Sequence, residues 1–166
     1  MEDFKKGELE GWIYVGKPIN AKVLDVGCGE YPRGHINIDL HKPKNIHGIN
    51  FVKADAHCLP FPDNSFDFVF SNAVLEHVDN PVMMLRECLR VTKSKVEIRV
   101  PHRYWRQGLS LSYGSSKIHK NRFNVQWFRK FLHGYAHDIS VDWVGKPFRV
   151  VPLFLFPSII TVTIYK

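Results

Sequence analysis

The chain has 166 residues, 45% of them hydrophobic, which suffices for one core and is short for two, so residues 1–166 are read as a single domain. No run reaches the ~20 apolar residues of a membrane span, and the opening "MEDFKKGELEGW" lacks the apolar centre of a secretory signal, so a cytoplasmic protein with no transmembrane segment is expected. The net charge of +7 is local: Ile98 to His137 holds eight basic residues and no Asp or Glu, while the rest carries 15 basic against 16 acidic. Such a block suggests an anionic partner, although a solvated surface produces it equally well. Cys28, Cys58 and Cys88 are far apart, odd in number and in no CxxC pair, which points to reduced thiols.

In chain order, seven β-branched or alternating runs read as strands: Lys22–Val26, Ile36–Asp39, Asn50–Lys53, Phe66–Ser71, Lys95–Val100, Asp138–Val144 and Ile159–Tyr165. After "DNP" a helix is expected, with Asn80 as cap and Pro81 at its first position. Val82, Leu85 and Leu89 fall on its inner face, and Arg86, Glu87 and Arg90 on its outer one. A second helix starts near Asn124, buries Trp127, Phe128, Phe131 and Leu132, and stops at Gly134. Strands separated by helices imply an α/β, mostly parallel, seven-stranded sheet. The last two strands, joined by the irregular "GKPFRVVPLFLFP", predict an antiparallel hairpin at one edge.

Asp25, Gly27 and Gly29 form D-x-G-x-G at the end of the first strand. Glycines there let a backbone turn sharply against a ligand. A dinucleotide turn would place a third Gly or Ala where Pro32 stands, would continue into a helix, and would put its acidic partner about 20 residues on. Here Asp39 follows Gly29 by ten residues, with no room for that helix. The connections "GCGEYPRGH" and "HKPKNIHG" are loops of about ten residues, near the minimum for a parallel crossover. A nucleoside without phosphates is therefore the expected ligand, and a nicotinamide oxidoreductase is a distant third reading.

The pieces "VLDVGCG", "INIDL" and "VKADAHCLPFPDNSFDFVFSNAVLEHVDNP", in this order and spacing, resemble the class I S-adenosylmethionine-dependent methyltransferases, in particular the small type 11 group. The resemblance is close over residues 20 to 100 and implies a Rossmann-like methyltransferase fold, here with shortened or missing helices after the first two strands. It implies S-adenosylmethionine as cofactor, its methionyl part against Asp25, Gly27, Cys28 and Gly29. Asp39 would accept from the ribose hydroxyls, Leu40 would pack on the adenine, Asp55 and Ala56 would meet the adenine edge, and Asn72 would face the sulfonium. Duller roles compete: Asp39 as a polar strand end, Asp55 as an Asx-turn former, Cys28 as a small filler.

Methyl transfer from a sulfonium needs alignment and exclusion of water, and a general base only for some acceptors. His77, His102 and His119 are the base candidates, with His102, just past the fifth strand, preferred and His77 second. Acceptor identity is expected in His102 to Asn124, within a substrate loop expected over residues 101–124. There Tyr104, Trp105, Arg106 and His119 sit among further cations and aromatics that can stack a base or sugar and hold phosphate. An anionic acceptor (nucleotide, RNA, phosphorylated sugar or lipid) is favoured over a neutral one. The competing class is a non-catalytic binding module or partner subunit that lends its basic loop to RNA. No metal site is expected, because the histidines, His35, His41, His47 and His57 included, lack the i, i+4 pattern of zinc enzymes. Short crossovers leave one sheet face short of cover; residues 1–20 cover part of it, and a second copy of the chain, aided by "VVPLFLFP", is expected to bury the rest.

Overall fold

The computed structural model describes residues 21–44, 48–102, 119–144 and 156–166. The expectations placed on residues 1–20, on Tyr104, Trp105 and Arg106, on His47 and on most of "VVPLFLFP" lie outside them. One seven-stranded sheet runs in the order β3-β2-β1-β4-β5-β7-β6. Its strands are β1 (Val23–Val26), β2 (Ile36–Asp39), β3 (Phe51–Lys53), β4 (Phe66–Asn72), β5 (Thr92–Pro101), β6 (Ala136–Val144) and β7 (Phe156–Tyr165). Strands β1 to β5 are mutually parallel. β7 joins β5 antiparallel and β6 pairs outside it, forming the expected antiparallel edge. Helix α1 (Pro81–Val91) crosses from β4 to β5, and α2 (Val125–Phe131) lies between β5 and β6.

Both helices start as their sequences dictate. Asn80 Oδ1 accepts the Met83 N–H at 3.0 Å with Pro81 following, and Asn124 Oδ1 accepts the Trp127 N–H at 2.9 Å. The inner face of α1 differs from expectation: Met84, Leu85, Cys88, Leu89 and Val91 are buried and Val82 only half so. Leu85 and Leu89 hold, but the stripe turns toward Met84 and Cys88, because the helix passes directly into β5, which begins at Thr92 rather than Lys95. On α2, Phe128 and Leu132 are buried, with Trp127 and Phe131 packed against them at the rim.

The sheet faces differ in chemistry. One is aliphatic: Leu24 and Val26, Val69, Val96, Ile98 and Val100, and Ile160, Val162 and Ile164 form a single core with α1 and α2. The alternate residues form the other face, where Val23, Phe68 and Phe70 cluster. Cations lie over these rings, Lys95 Nζ 4.8 Å from the centre of Phe68 and the Arg99 guanidinium 5.6 Å from that of Phe70. Arg99 in turn pairs with buried Glu97 at 2.8 Å. Both helices therefore lie against the aliphatic face.

No helix joins β1 to β2; a polar lock holds residues 27–35 instead. The buried Asp25 carboxylate accepts the Arg33 N–H at 2.9 Å, and the His35 N–H reaches the Val23 carbonyl at 2.9 Å. Buried Asn37 accepts the Gly34 N–H at 2.7 Å and donates to the carbonyls of Gly34 and Asn50, both at 3.1 Å. Gly34 is required by proximity, since a Cβ there would lie 2.4 Å from the Ile36 carbonyl oxygen and 2.7 Å from the Asp25 nitrogen. One amide side chain on β2 thus ties the β1–β2 connection to the entry of β3 where a helix would otherwise pack.

A second knot ties the β3–β4 connection to α1. Arg90 donates to Glu87 (2.7 and 2.8 Å), to Asp63 (2.7 Å) and to the carbonyls of Phe61 and Leu59 (2.8 and 3.0 Å). Glu87 also accepts the Leu59 N–H at 2.8 Å. Glu87 and Arg90, expected on the solvent face of the helix, are half-buried because this loop folds over them. Arg90, by donating to it, holds the Glu87 carboxyl below its ordinary value.

Replacing Asn37 by Ala removes three hydrogen bonds of a buried amide, those to Gly34 and to the Asn50 carbonyl, and should lower unfolding stability by about 1–2 kcal/mol in urea titration, with an unchanged slope. Glu87 has a depressed folded pKa, so its contribution is present above its unfolded value of 4.5 and fades as pH falls through the folded one. Arg90→Met should therefore destabilise at neutral pH and flatten the loss of stability below about pH 4.5, as read from melting temperature against pH.

Candidate active site

Parallel strands deliver their following loops to one edge of a sheet, and the loops after β1, β2, β3 and β4 meet there around a cleft of about 390 Å³. The β1 turn contributes Gly27 and Gly29, the end of β2 Ile38, Asp39, Leu40 and His41, and the loop after β3 Ala54 to His57. The far wall comes from Ala73, Val74, His77, Val78 and Asp79 after β4, and from Lys120.

The N–H groups of the glycine turn are committed within the fold. Gly27 and Cys28 both donate to the Ile38 carbonyl, at 2.8 and 3.0 Å, and Gly29 donates to Asp39 Oδ2 at 3.0 Å. A phosphate cradle needs such amides for the ligand; here they close the turn on β2. Gly27 has φ +74, and a Cβ on it would stand 2.3 Å from Val74 Cγ2, so the close approach of the turn to the β4 loop requires glycine.

Asp39 also accepts the His41 N–H, at 2.9 Å through Oδ1. A carboxylate has about four lone-pair sites, so acceptor capacity remains for a diol. Leu40 beside it is 54% exposed, an unusual position for a leucine that a flat apolar ligand would cover. After β3, His57 donates its backbone N–H to Asp55 Oδ1 at 2.9 Å, and its Nδ1 lies 2.7 Å from the same oxygen. His57 Nε2 accepts the Asn80 N–H at 3.1 Å, which fixes the neutral ring's proton on Nδ1 and ties this loop to the start of α1. The backbone bond from His57 is the main reason that the Asp55 carboxyl sits below its usual range.

Among the described residues, the cleft is therefore lined by Asp39, Asp55 and Asp79 against one Lys or Arg, Lys120, whose Nζ is 2.6 Å from Asp79 Oδ1. Carboxylates repel phosphates and attract cations. A nucleoside bearing a sulfonium and an ammonium fits this donor set, and a diphosphate does not.

Of the residues singled out from the sequence, Gly27, Gly29, Asp39, Leu40, Asp55, Ala56 and His77 meet at the cleft. Asp25 lies beneath the turn in the polar lock. Cys28 is buried, its thiol pushed up to about 12 by burial and then by Asp25 and Asp39, so it packs as a thiol. Asn72 ends β4 half-buried, one residue before Ala73, which turns away with φ +55. His102 follows β5 and pairs its backbone with Phe123 in an isolated bridge. His119 lies off the lining, its ring 4.9 Å from that of His77.

Sequence reasoning missed Val74, Val78, Asp79 and Glu76, and it counted Lys120 only among the cations of the substrate loop. The Lys120–Asp79 contact joins residues 41 apart and leaves no local signal, whereas "LEHVDN" held an acidic and an imidazole side chain together in plain view. Glu76 is 2% exposed, and burial pushes its carboxyl up to about 7. Asn121 fastens the later segment to this turn: its N–H reaches the Glu76 carbonyl at 3.0 Å and its Nδ2 the Val78 carbonyl at 2.7 Å. His119 is thereby held beside His77, and burial, then His77 and Arg122, lower its pKa.

Comparison with known proteins agrees with this geometry. Residues 24–99 match a family model described as a methyltransferase domain, of type 11. An uncharacterized methyltransferase of Schizosaccharomyces pombe is 44% identical over 108 residues, covering 48% of this chain and 38% of that protein. A demethylmenaquinone methyltransferase of Listeria welshimeri is 33% identical over 96 residues, covering 44% and 41%. The chain thus spans about two fifths of the length of these curated relatives. Among solved structures, an S-adenosylmethionine-dependent methyltransferase from Archaeoglobus fulgidus superposes with TM-score 0.64 at 18% identity, over 87% of this chain and 85% of that one. YcgJ from Bacillus subtilis gives 0.63 at 13%, over 88% and 92%. With strand order, cleft chemistry and family match in agreement, residues 24–99 carry a methyltransferase domain of type 11, on the fold of S-adenosylmethionine-dependent methyltransferases.

Proposed function

We propose that the chain methylates an anionic acceptor that enters the cleft from the His77 and Lys120 side. When bound, S-adenosylmethionine supplies an electrophilic methyl group on a sulfonium. The observation that carries this reading is the pairing of a glycine turn whose amides are spent on β2 with a wall of three aspartates, a site built for a nucleoside of positive charge.

Asp39 accepts from the ribose hydroxyls with its remaining lone pairs, while its bonds to Gly29 and His41 hold it in place. Leu40 covers one face of the adenine, and Asp55 with Ala56 meets its edge. Gly27 and Gly29 allow the methionyl part close to the backbone, with Asp25 and Cys28 supporting the turn from behind, and Asn72 lies toward the reacting end. Without a metal, His77, which lines the cleft, receives the proton of a hydroxyl acceptor ahead of His102, the candidate preferred from the sequence. The preference for an anionic acceptor rests on the basic stretch from Ile98 to His137, of which Lys120 reaches the cleft wall.

Calorimetry with S-adenosylhomocysteine tests the cofactor half. Asp39→Ala should weaken binding at least about tenfold, or ~1.4 kcal/mol, and Asp39→Asn less, since one acceptor oxygen remains. Saturable RNA binding by a parent protein that takes up no cofactor would instead identify a non-catalytic module. A tritiated methyl-transfer screen over RNA, nucleotides, phosphorylated sugars, lipids and quinones, with Asp39→Ala as blank, tests the acceptor half. Labelling of anionic acceptors alone is expected, and labelling of a neutral quinone alone would overturn that preference.

A further inference from the structure

Nothing in cofactor binding accounts for Glu76. Buried polar side-chain atoms almost always find a partner, and among the described residues Glu76 Oε2 is the one such atom that has none. Its carboxylate is 2% exposed, and a buried charge left uncompensated is strongly unfavourable. Among the described residues, the groups that face it are imidazoles. His77 Nε2 stands 3.9 Å from Glu76 Oε1, and the His119 ring packs edge-on against His77 at 4.9 Å. One donor atom from each of the three lies within 4.8 Å of the others.

Two nitrogens and a carboxylate oxygen at this separation form the donor set of an open zinc centre. Bonds of about 2.0–2.2 Å would place the donor atoms roughly 3.3–3.5 Å apart, so side-chain rotations of about 1–1.5 Å close the site. Its backbone is already in position. Glu76 and His77 sit on one turn, closed by the His77 N–H to the Val74 carbonyl at 2.8 Å. His119 comes from a segment that Asn121 clamps to that same turn through the carbonyls of Glu76 and Val78, at 3.0 and 2.7 Å. Such outer bonds are what orient ligands in metal sites.

We propose that Glu76, His77 and His119 form a divalent metal site of two-histidine, one-carboxylate type, zinc being the metal that best suits the donors. Because His77 also lines the cleft, the fourth coordination position faces the space where an acceptor enters and suits a hydroxyl oxygen. A hydroxyl bound there loses its proton more readily, as metal-bound water does. Only this last element rests on the methyl-transfer reading; the metal site itself does not.

Metal-free protein titrated with zinc chloride in a calorimeter should bind one equivalent and rise in melting temperature, and cobalt(II) in its place should give the visible absorption of a four-coordinate ion. Glu76→Gln and His119→Ala should each weaken zinc binding by at least about 100-fold. Glu76→Gln keeps the shape and removes only the buried charge, so in metal-free buffer it should melt at or above the parent and decides the matter if His119→Ala unfolds. Absence of saturable one-to-one binding in the parent, or parent-like affinity in Glu76→Gln, overturns the site. S-adenosylhomocysteine affinity measured alongside, without metal, separates the two readings: its absence with zinc binding intact sinks the proposed function alone, and the reverse sinks the metal site alone.

Discussion

Two amide hydrogens, those of Gly27 and Cys28, converge on the carbonyl oxygen of Ile38 at 2.8 and 3.0 Å, and the site is organised around that junction. It forces the β1 turn down onto the end of β2, brings the Gly29 N–H to Asp39, and leaves the next residue, Leu40, turned into the cleft. The same junction decides what the turn can hold. Amides spent on the protein cannot serve a phosphate, so recognition passes to carboxylates, and the ligand charge that the site favours changes sign.

A turn of this kind does not need the positive end of a long helix, and the β1–β2 connection has dispensed with one. Its place is taken by side-chain and backbone hydrogen bonds among Asp25, Arg33, Gly34, Asn37 and Asn50. Hydrogen-bonded groups of this sort fix geometry well but bury little apolar surface. The sheet responds asymmetrically: α1 and α2 share the aliphatic core on one face, while aromatic rings, cations and the Glu97–Arg99 pair occupy the other.

The opposite wall of the cleft is made by a different device. Residues 74–79 form a turn whose carbonyls receive Asn121 and whose Asp79 receives Lys120, so a segment more than forty residues later is stitched to the β4 loop. This stitching creates the acidic and imidazole cluster of Glu76, His77 and His119. The half of the cleft with Gly27, Asp39 and Asp55 is thus assembled by strand order, and the half with His77, Asp79 and Lys120 by long-range side-chain bonds.

That division separates what could be read from the sequence from what could not. Strand identity, the two helix caps, the glycine turn and the carboxylates Asp39 and Asp55 were legible because each depends on a local period or a fixed spacing. "DNP" announces a helix start, and D-x-G-x-G followed closely by "INIDL" announces a turn with no helix behind it. The inner stripe of α1, the burial of Glu87 and Arg90, and the partnership of Glu76 with His119 depend instead on which loop folds over which helix. The amino-acid order alone determined the methyltransferase domain of residues 24–99, the sheet and the glycine-turn end of the cleft, because hydrogen-bonded turns and alternating strands are local. Only the tertiary structure decided the end of the cleft around His77 and Lys120, because burial and the meeting of side chains forty residues apart exist only once the chain has closed on itself.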